Sequence, residues 1–350
     1  MKSEKVIPIH LVYIEKNFKK GDSRMKKIII FLVSLLLVCF VSSITIFAAD
    51  YPTKDIRCIC PWGEGGGTDA ITRMITKVAE KSVPVSIYVE NIEGGVSGTG
   101  VYEVMKAPPD GYTIGTMTYD SIITVPRQQL VPGYELDKLA LICRLTSEAD
   151  AIMVRGDSPF ETFEEFIEAA KEEPGQINVA IQNLGNRTHI AMLMLQDELD
   201  VEFNLISYTG GAGAQKEALL SGEVEAAITS LGDFAPLLEA NQAKGLVELS
   251  AKRNPQFTDV PTLKELGHDM EIGSFVIVAA PADIPDDVLA KLEQMFDDAY
   301  HTDEFLNWLD SVGVTSAWLN SEEVTNFVQE TQTKYFEIMD NLVEQGIIEG

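Results

Sequence analysis

The stretch Cys60-Pro61-Trp62-Gly63-Glu64-Gly65-Gly66-Gly67-Thr68-Asp69 decides how this chain is read. It follows Ile56-Arg57-Cys58-Ile59-Cys60, an apolar run of strand length, and precedes Ala70 to Lys81, where Ile71, Ile75 and Val78 recur at helical spacing. Three consecutive glycines allow a tight strand-to-helix turn with exposed N–H groups, and Thr68 or Asp69 is the expected helix cap. Backbone donors at a helix start attract an anion without any basic side chain. No Gly-Lys-Ser/Thr follows, and Thr68 stands where G-x-G-x-x-G needs its third glycine, so neither nucleotide motif is present. A merely tight turn accounts for such a loop equally well when it stands alone.

The same pattern recurs. Strands are expected at Val85–Glu90, Tyr112–Met117, Ala151–Arg155, Ile177–Ile181, Leu205–Tyr208, Val224–Thr229, Gly245–Ala251 and Phe275–Ala279. Asn183-Leu184-Gly185-Asn186-Arg187-Thr188-His189 opens a helix over Ile190–Leu199, and Tyr208-Thr209-Gly210-Gly211 leads to another over Ala214–Leu220. Thr162 and Glu165 form a capping-box pair for a helix that Pro174-Gly175 stops. Two apolar stripes near the C-terminus, Val288/Leu289/Leu292/Met295/Phe296 and Phe327/Val328/Thr331/Tyr335/Ile338/Leu342, predict helices packed on a sheet. Alternating strands and helices define the α/β class, in which ligands sit at the carboxyl ends of strands.

Composition narrows the function. The 350 residues carry 27 Lys+Arg against 54 Asp+Glu, a net charge of −27. So acidic a surface repels phosphate backbones, so no nucleic-acid partner is expected. Four Cys and four His are too few for a disulfide scaffold or a His-based metal centre, and no cofactor or metal is expected. Cys58 and Cys60 lie on one face of a strand and read as small buried hydrophobes; Cys143 is isolated.

The N-terminal segment is read separately from the fold. Residues 28–49 carry no charge, follow Arg24, Lys26 and Lys27, and end in Ala48-Ala49. This is a signal-peptide pattern spanning residues 25–49, with cleavage near Ala48 or Ala49 favoured over retention as a membrane anchor. Leu37 and Val38 before Cys39 count against lipidation. Residues 1–24 are expected to be an upstream extension, with translation starting at Met25. Removing residues 1–49 leaves 19 basic against 51 acidic residues, a net charge of −32.

The loops, together with Arg73, Val89-Glu90-Asn91, Gly94-Gly95, Gly98, Pro109-Asp110-Gly111-Tyr112-Thr113, Leu220 to Gly222, Lys252-Arg253, Val260-Pro261-Thr262, Glu265 and Gly267, make the chain resemble a known family. It is similar to the substrate-binding receptors of tripartite tricarboxylate transporters, the Bug family of extracytoplasmic solute receptors. The resemblance implies a two-lobed periplasmic-binding-protein fold of type II, with the ligand cleft between the lobes. One lobe is expected from residues 50–150 plus 275–350, the other from 151–274. It further implies a monomer that captures a small carboxylate and delivers it to membrane transporter subunits.

The implied ligand-binding residues are Trp62, Gly63, Gly65, Gly66, Gly67, Thr68, Asp69, Asn183, Gly185, Asn186, Arg187, Thr188, His189, Tyr208, Gly210 and Gly211. Two departures from the family pattern stand out: Ile92-Glu93, where Arg-Pro is usual, is read as a change away from the ligand. Glu64 adds a carboxylate to the first loop, facing either solvent or ligand.

Arg187 has two readings, a carboxylate partner or a salt-bridged arginine. Arg73 is expected to brace Asp69 at i,i+4. His189 is expected to orient its loop before it donates to a ligand, and Trp62 and Tyr208 line either cleft or core.

Two other functions compete: an orphan sensor feeding a signalling partner, and a secreted hydrolase using the Gly-rich loop as an oxyanion site. The hydrolase lacks a nucleophile with a base in reach, so a non-enzymatic receptor is preferred.

Overall fold

The computed structural model describes residues 51–208, 211–344 and 346. The expected signal or anchor segment and the upstream extension lie outside the described residues. Among the described residues, no helix is long and apolar enough to cross a membrane.

In chain order the elements begin with β1 (Ile56–Cys60), α1 (Gly67–Ala79), β2 (Ile87–Asn91), α2 (Gly98–Lys106) and β3 (Thr113–Met117). Two short helical turns follow, α3 (Tyr119–Ile122) and α4 (Thr124–Arg127), then the long strand β4 (Leu139–Arg155). The middle of the chain gives α5 (Phe163–Glu172), β5 (Asn178–Ile181), α6 (Arg187–Leu199), β6 (Asn204–Ser207), α7 (Gly211–Ser221), β7 (Ala226–Ser230), α8 (Leu231–Glu239) and β8 (Ala243–Glu248). The chain finishes with β9 (Gly273–Pro281), α9 (Asp286–Tyr300), α10 (Asp303–Ser311), β10 (Ser316–Leu319) and α11 (Ser321–Glu344).

Two mixed sheets share β4. The first runs β2-β1-β3-β9-β4, parallel among β1, β2 and β3 and antiparallel where β9 enters, with β10 on β4's other side. The second has β4 between β7 and β8, followed by β5 and β6 in parallel with β7.

Strand alternation explains how helices cover both faces. In β1, Ile56 and Cys58 pack with Ile71, Ile75 and Val78 of α1, whereas Ile59 packs with Val101 and Val104 of α2. Both cysteines of β1, like Cys143, are free and buried. The two C-terminal stripes also face the core. Leu292, Met295 and Phe296 of α9 join α1, and Val328, Tyr335 and Leu342 of α11 pack with residues of β4 and β9. The Thr162–Glu165 capping box forms as expected.

The strand expected at Ala151–Arg155 starts twelve residues earlier, at Leu139. Its first half was hidden because β4 shifts register against β9 at Leu141/Cys143 and Arg144/Thr146, and because Ser147-Glu148-Ala149-Asp150 interrupts the apolar run. That polar interruption is where the chain crosses between sheets. The Asp150 N–H donates to Ile272 O (3.0 Å) and its carbonyl accepts from Leu249 N–H (2.7 Å), so one residue ties the outgoing strand to both ends of the returning β8–β9 connection. Helix α2, helix α8 with its internal Pro236, and strand β10 also went unread, being short or interrupted by Gly or Pro.

Gly100 of α2 shows how tightly the first loop is held. A Cβ there would stand 2.5 Å from Ile92 O and 2.9 Å from Pro61 Cα, both backbone atoms. Gly100→Ala is therefore expected to destabilise the fold by about 1–3 kcal/mol, the usual cost of overpacking. Urea denaturation with an unchanged m-value would measure it.

Candidate functional site

Helix α1 starts one turn earlier than its apolar spacing indicated, and its N-cap is Gly66, which makes no side-chain cap bond. Neither Thr68 nor Asp69 caps it, a correction with a clear cause. Asp69 lies in the first turn and reaches back to accept the Gly65 N–H (2.9 Å), closing the glycine loop from inside the helix. Arg73 Nε lies 2.9 Å from one Asp69 oxygen, and Asn91 Nδ2 donates to that oxygen at 2.8 Å. The expected i,i+4 brace is thus present. Burial alone would raise the Asp69 pKa, but the Arg73 guanidinium, the Gly65 amide and Asn91 outweigh it and hold the carboxyl below its ordinary value.

Asn91 also donates to Trp62 O (2.8 Å), and the Trp62 indole donates to Thr118 Oγ1 (3.2 Å). The Glu64 side chain is 82% exposed, so it faces solvent. Glu93, read from sequence as part of a change away from the ligand, lies against the loop. Its carboxylate is 3.3 Å from where a Gly63 Cβ would stand.

The second loop is built in the same manner. Asn186 is the N-cap of α6, its side-chain oxygen accepting from His189 N–H (3.2 Å) and from the Thr188 hydroxyl (3.0 Å). Thr188 Oγ1 accepts from Gln182 N–H (2.9 Å), and Asn186 Nδ2 donates to Gln182 Oε1 (3.3 Å). His189 orients the loop as expected. Its Nδ1 accepts the Gly185 N–H (2.8 Å), and burial lowers its pKa, which keeps the ring neutral. Gly185 has φ +73° and its carbonyl accepts from Gln128 Nε2 (2.8 Å). Asn183 is half-buried, and Leu184 is exposed beside it.

Arg187 takes the salt-bridged role. It is buried, and its guanidinium pairs with Asp150, which is fully buried. Its own N–H reaches Asp120 Oδ1 (3.4 Å), which also accepts from the Thr124 hydroxyl (2.6 Å). Tyr208 is half-buried and packs on the apolar cluster of the second sheet. Gly211 begins α7, whereas Gly210 lies outside the described residues.

The structure adds groups that the sequence reading missed, all at strand carboxyl ends. From the end of β7, Ser230 caps α8 and Thr229 donates to Asp233 Oδ2 (2.6 Å). Asp233 Oδ1 is 3.4 Å from where a Gly67 Cβ would stand, so the second sheet's α8 touches the first sheet's glycine loop. Gln182 Nε2 donates to Thr229 Oγ1 (3.3 Å). From the end of β3 come Thr118 and Asp120. The strand-then-cap signal at Thr229-Ser230-Leu231-Gly232-Asp233 and Met117-Thr118-Tyr119-Asp120 could have found both.

Four loops therefore converge: 60–69, 117–121, 181–189 and 229–233. At their centre, burial and the neighbouring Asp233 push the Glu148 carboxyl up to about 7. Burial likewise raises Asp150 and Asp120, against the lowering pull of Arg187.

Among the described residues, no group of three or more His, Cys, Asp or Glu is placed to hold a metal ion. A separate pocket of about 480 Å³ lies between α11 and the crossover segments and shares only Tyr119 with these loops.

An α/β chain with two sheets sharing one strand, and Gly-bearing loops gathered at the strand ends of both, has the architecture of a periplasmic-type solute-binding protein. The family model for the tripartite tricarboxylate transporter family receptor matches residues 71–343, and this chain belongs to that family. A UPF0065 protein of Cupriavidus necator is 27% identical over 84% of this chain and 89% of its own length. Protein BugT of Bordetella pertussis is 24% identical, covering 80% and 87%. A crystal structure of a TctC solute-binding protein from Polaromonas, without ligand, aligns with TM-score 0.69 and 28% identity over 83% of this chain and all of that one. MatC from Rhodopseudomonas palustris, with bound malate, shares the fold at TM-score 0.72 and 23% identity, covering 82% and 99%.

Two measurements test the electrostatics. Arg187→Met strands the Asp150 carboxylate and is expected to cost about 3–5 kcal/mol, with part recovered when Asp150→Asn is added. Chemical denaturation of the single and double variants reads this.

Glu148 holds a proton up to about pH 7 in the folded chain, whereas its ordinary pKa is 4.5. The folded state thus binds the extra proton in that window, so stability contributed below it is lost as pH rises through 7. The melting temperature of unliganded protein should fall between pH 5 and 7.5, and less steeply in Glu148→Gln.

Proposed function

We propose that the chain is an extracytoplasmic receptor that captures a small organic acid for a tripartite tricarboxylate-type transporter. The observation that carries this reading is the pairing of two helix N-termini, α1 after Gly65-Gly66-Gly67 and α6 after Asn183–Asn186, at the strand ends of different sheets. First-turn amides of a helix have no intrahelical acceptor and attract a carboxylate. The amides of Gly67 and Thr68 on one side, and Thr188 on the other, are the proposed donors. Trp62 and Tyr208 are the proposed aromatic walls. Gly63, Gly65, Gly66, Gly185 and Gly211 are the proposed points of close backbone approach, and Asp69, Asn186 and His189 hold the loops in shape.

The two sheets with their helices are the proposed lobes, residues 50–150 with 275–350 and residues 151–274. They turn about the tie at Asp150. The family assignment supports delivery to membrane subunits, and the sequence of residues 25–49 supports export. His189 spends Nδ1 on its own loop, which supports capture without catalysis.

A thermal-shift screen of the mature protein against mono-, di- and tricarboxylates tests the reading. An acid at about a hundred times its dissociation constant should add roughly 2.7 kcal/mol. No shift with any acid, together with turnover of an ester, would reject it. Asn186→Ala removes the α6 cap, worth about 1 kcal/mol of stability, and is expected to weaken the acid about tenfold by titration calorimetry. Because the chain is strongly acidic, added salt should speed association of an anionic solute in stopped-flow traces.

A further inference from the structure

Gln128 closes α4, and its backbone is anchored in the first sheet's half of the molecule. Its N–H donates to Thr124 O (3.0 Å), the neighbouring Arg127 is paired with Asp340 of α11, and Gln332 of α11 donates to Ile122 O (3.1 Å). From this fixed base the half-buried carboxamide crosses to the other half and donates to Gly185 O (2.8 Å), in the loop that opens α6. Gly185 is held at φ +73°, and a Cβ there would stand 2.2 Å from Gln128 Nε2, so a side chain at this position would exclude the donor.

Other bonds of that loop stay within the second sheet's half. His189 Nδ1 accepts the Gly185 N–H, Asn183 O accepts the Asn186 N–H (3.2 Å), and Leu184 between them is 66% exposed. These contacts would travel with the loop if the halves parted, whereas the Gln128 bond would break. Asp120 also reaches across to the Arg187 amide, at 3.4 Å, near the limit of hydrogen-bond length. A second carboxamide–glycine pair, Asn254 Nδ2 to Gly313 O (3.1 Å), joins the halves as well. It lies close to the crossing of β4, since the Asn254 N–H is bonded to Glu248 Oε2 (2.9 Å) and the Ser147 N–H to Thr315 O (3.2 Å). A contact so near the axis moves little as the halves turn.

We propose that Gln128 is a closure latch, a positioning residue that holds the α6 loop against the first lobe and sets the balance of open and closed forms before any solute arrives. The proposal rests on the receptor reading, in which the two sheets are lobes turning about Asp150, and adds the tie that regulates their motion. A neutral carboxamide suits this role. It exchanges a carbonyl partner for water at small net cost, so the latch biases the equilibrium without locking it. While it is closed, the first turn of α6 stays presented to the glycine loop of α1.

Double electron–electron resonance between spin labels tests this on the solute-free mature chain. Labels are placed through Lys77→Cys in α1 and Asp197→Cys in α6, both exposed positions, and the native Cys58, Cys60 and Cys143 are buried and take none. The parent chain should show a main short distance and a minor longer one. Gln128→Met, similar in length and without a donor, should raise the ratio of longer to shorter about fivefold, the weight of one neutral hydrogen bond. Gln128→Glu should do at least as much at about pH 7.5, where a carboxylate faces the Gly185 carbonyl. At about pH 4 its carboxyl regains a proton to donate, so its distribution should return toward the parent's while that of Gln128→Met stays displaced. His189 and the native acids titrate in all three chains alike, so the parent at each pH is the baseline. Melting curves report folding. If Gln128→Met does not fold, the pH response of Gln128→Glu reads the latch by itself.

Two variants with the parent's distances at pH 7.5 would overturn the latch, as would a Gln128→Glu chain that stays displaced in acid. Either result leaves the acid screen, and with it the receptor reading, untouched. Failure of every acid to bind, with the expected distances observed, would remove the receptor reading while the latch stood.

Discussion

The buried ion pair between Arg187 and Asp150 is the contact on which the arrangement of loops depends. Asp150 lies where β4 leaves one sheet for the other, and its backbone clips both ends of the returning connection, at Leu249 and Ile272. Arg187 lies in the first turn of α6, at the strand ends of the second sheet. The pair fixes the start of α6 against the crossing point. Through Asp120, which accepts the Arg187 amide, it also reaches the end of β3 in the first sheet. Two charges removed from water tolerate little displacement, because losing a partner leaves an uncompensated charge inside.

Around that pair the two loops use one design. Each has a side chain from the first helical turn or the cap folding back onto loop amides: Asp69 onto Gly65 in one, His189 onto Gly185 in the other. In α6 the Asn186 cap takes the His189 amide and Asp120 the Arg187 amide, which leaves that of Thr188. Contacts between the loops come from polar groups, Gln128 with Gly185 and Asp233 beside Gly67, which are easier to open than an apolar seam.

Much of this was legible in the residues. Glycines after apolar runs located the strand ends, the Thr162–Glu165 pair located a helix start, and i,i+4 spacing joined Asp69 to Arg73. Local rules suffice where partners are separated by a few residues. They failed where a polar segment interrupted a strand, so β4 was read at a third of its length. They also misplaced the cap of α1, because Thr68 and Asp69 are both good caps by composition while Gly66 takes the position by geometry.

The α/β alternation, the Gly-bearing loops at strand ends, the acidity of the chain and the poverty of basic groups near the loops are all written in the residues. Each follows from composition or short-range spacing. What Arg187 pairs with, and the meeting of Asp120, Glu148, Asp150 and Asp233 near the loops, emerge from the folded chain alone. Arg187 and Asp150 are 37 positions apart, and Arg187 and Asp120 are 67 apart. Over such distances no periodicity or cap links the residues; burial and the crossing of β4 between sheets bring them together.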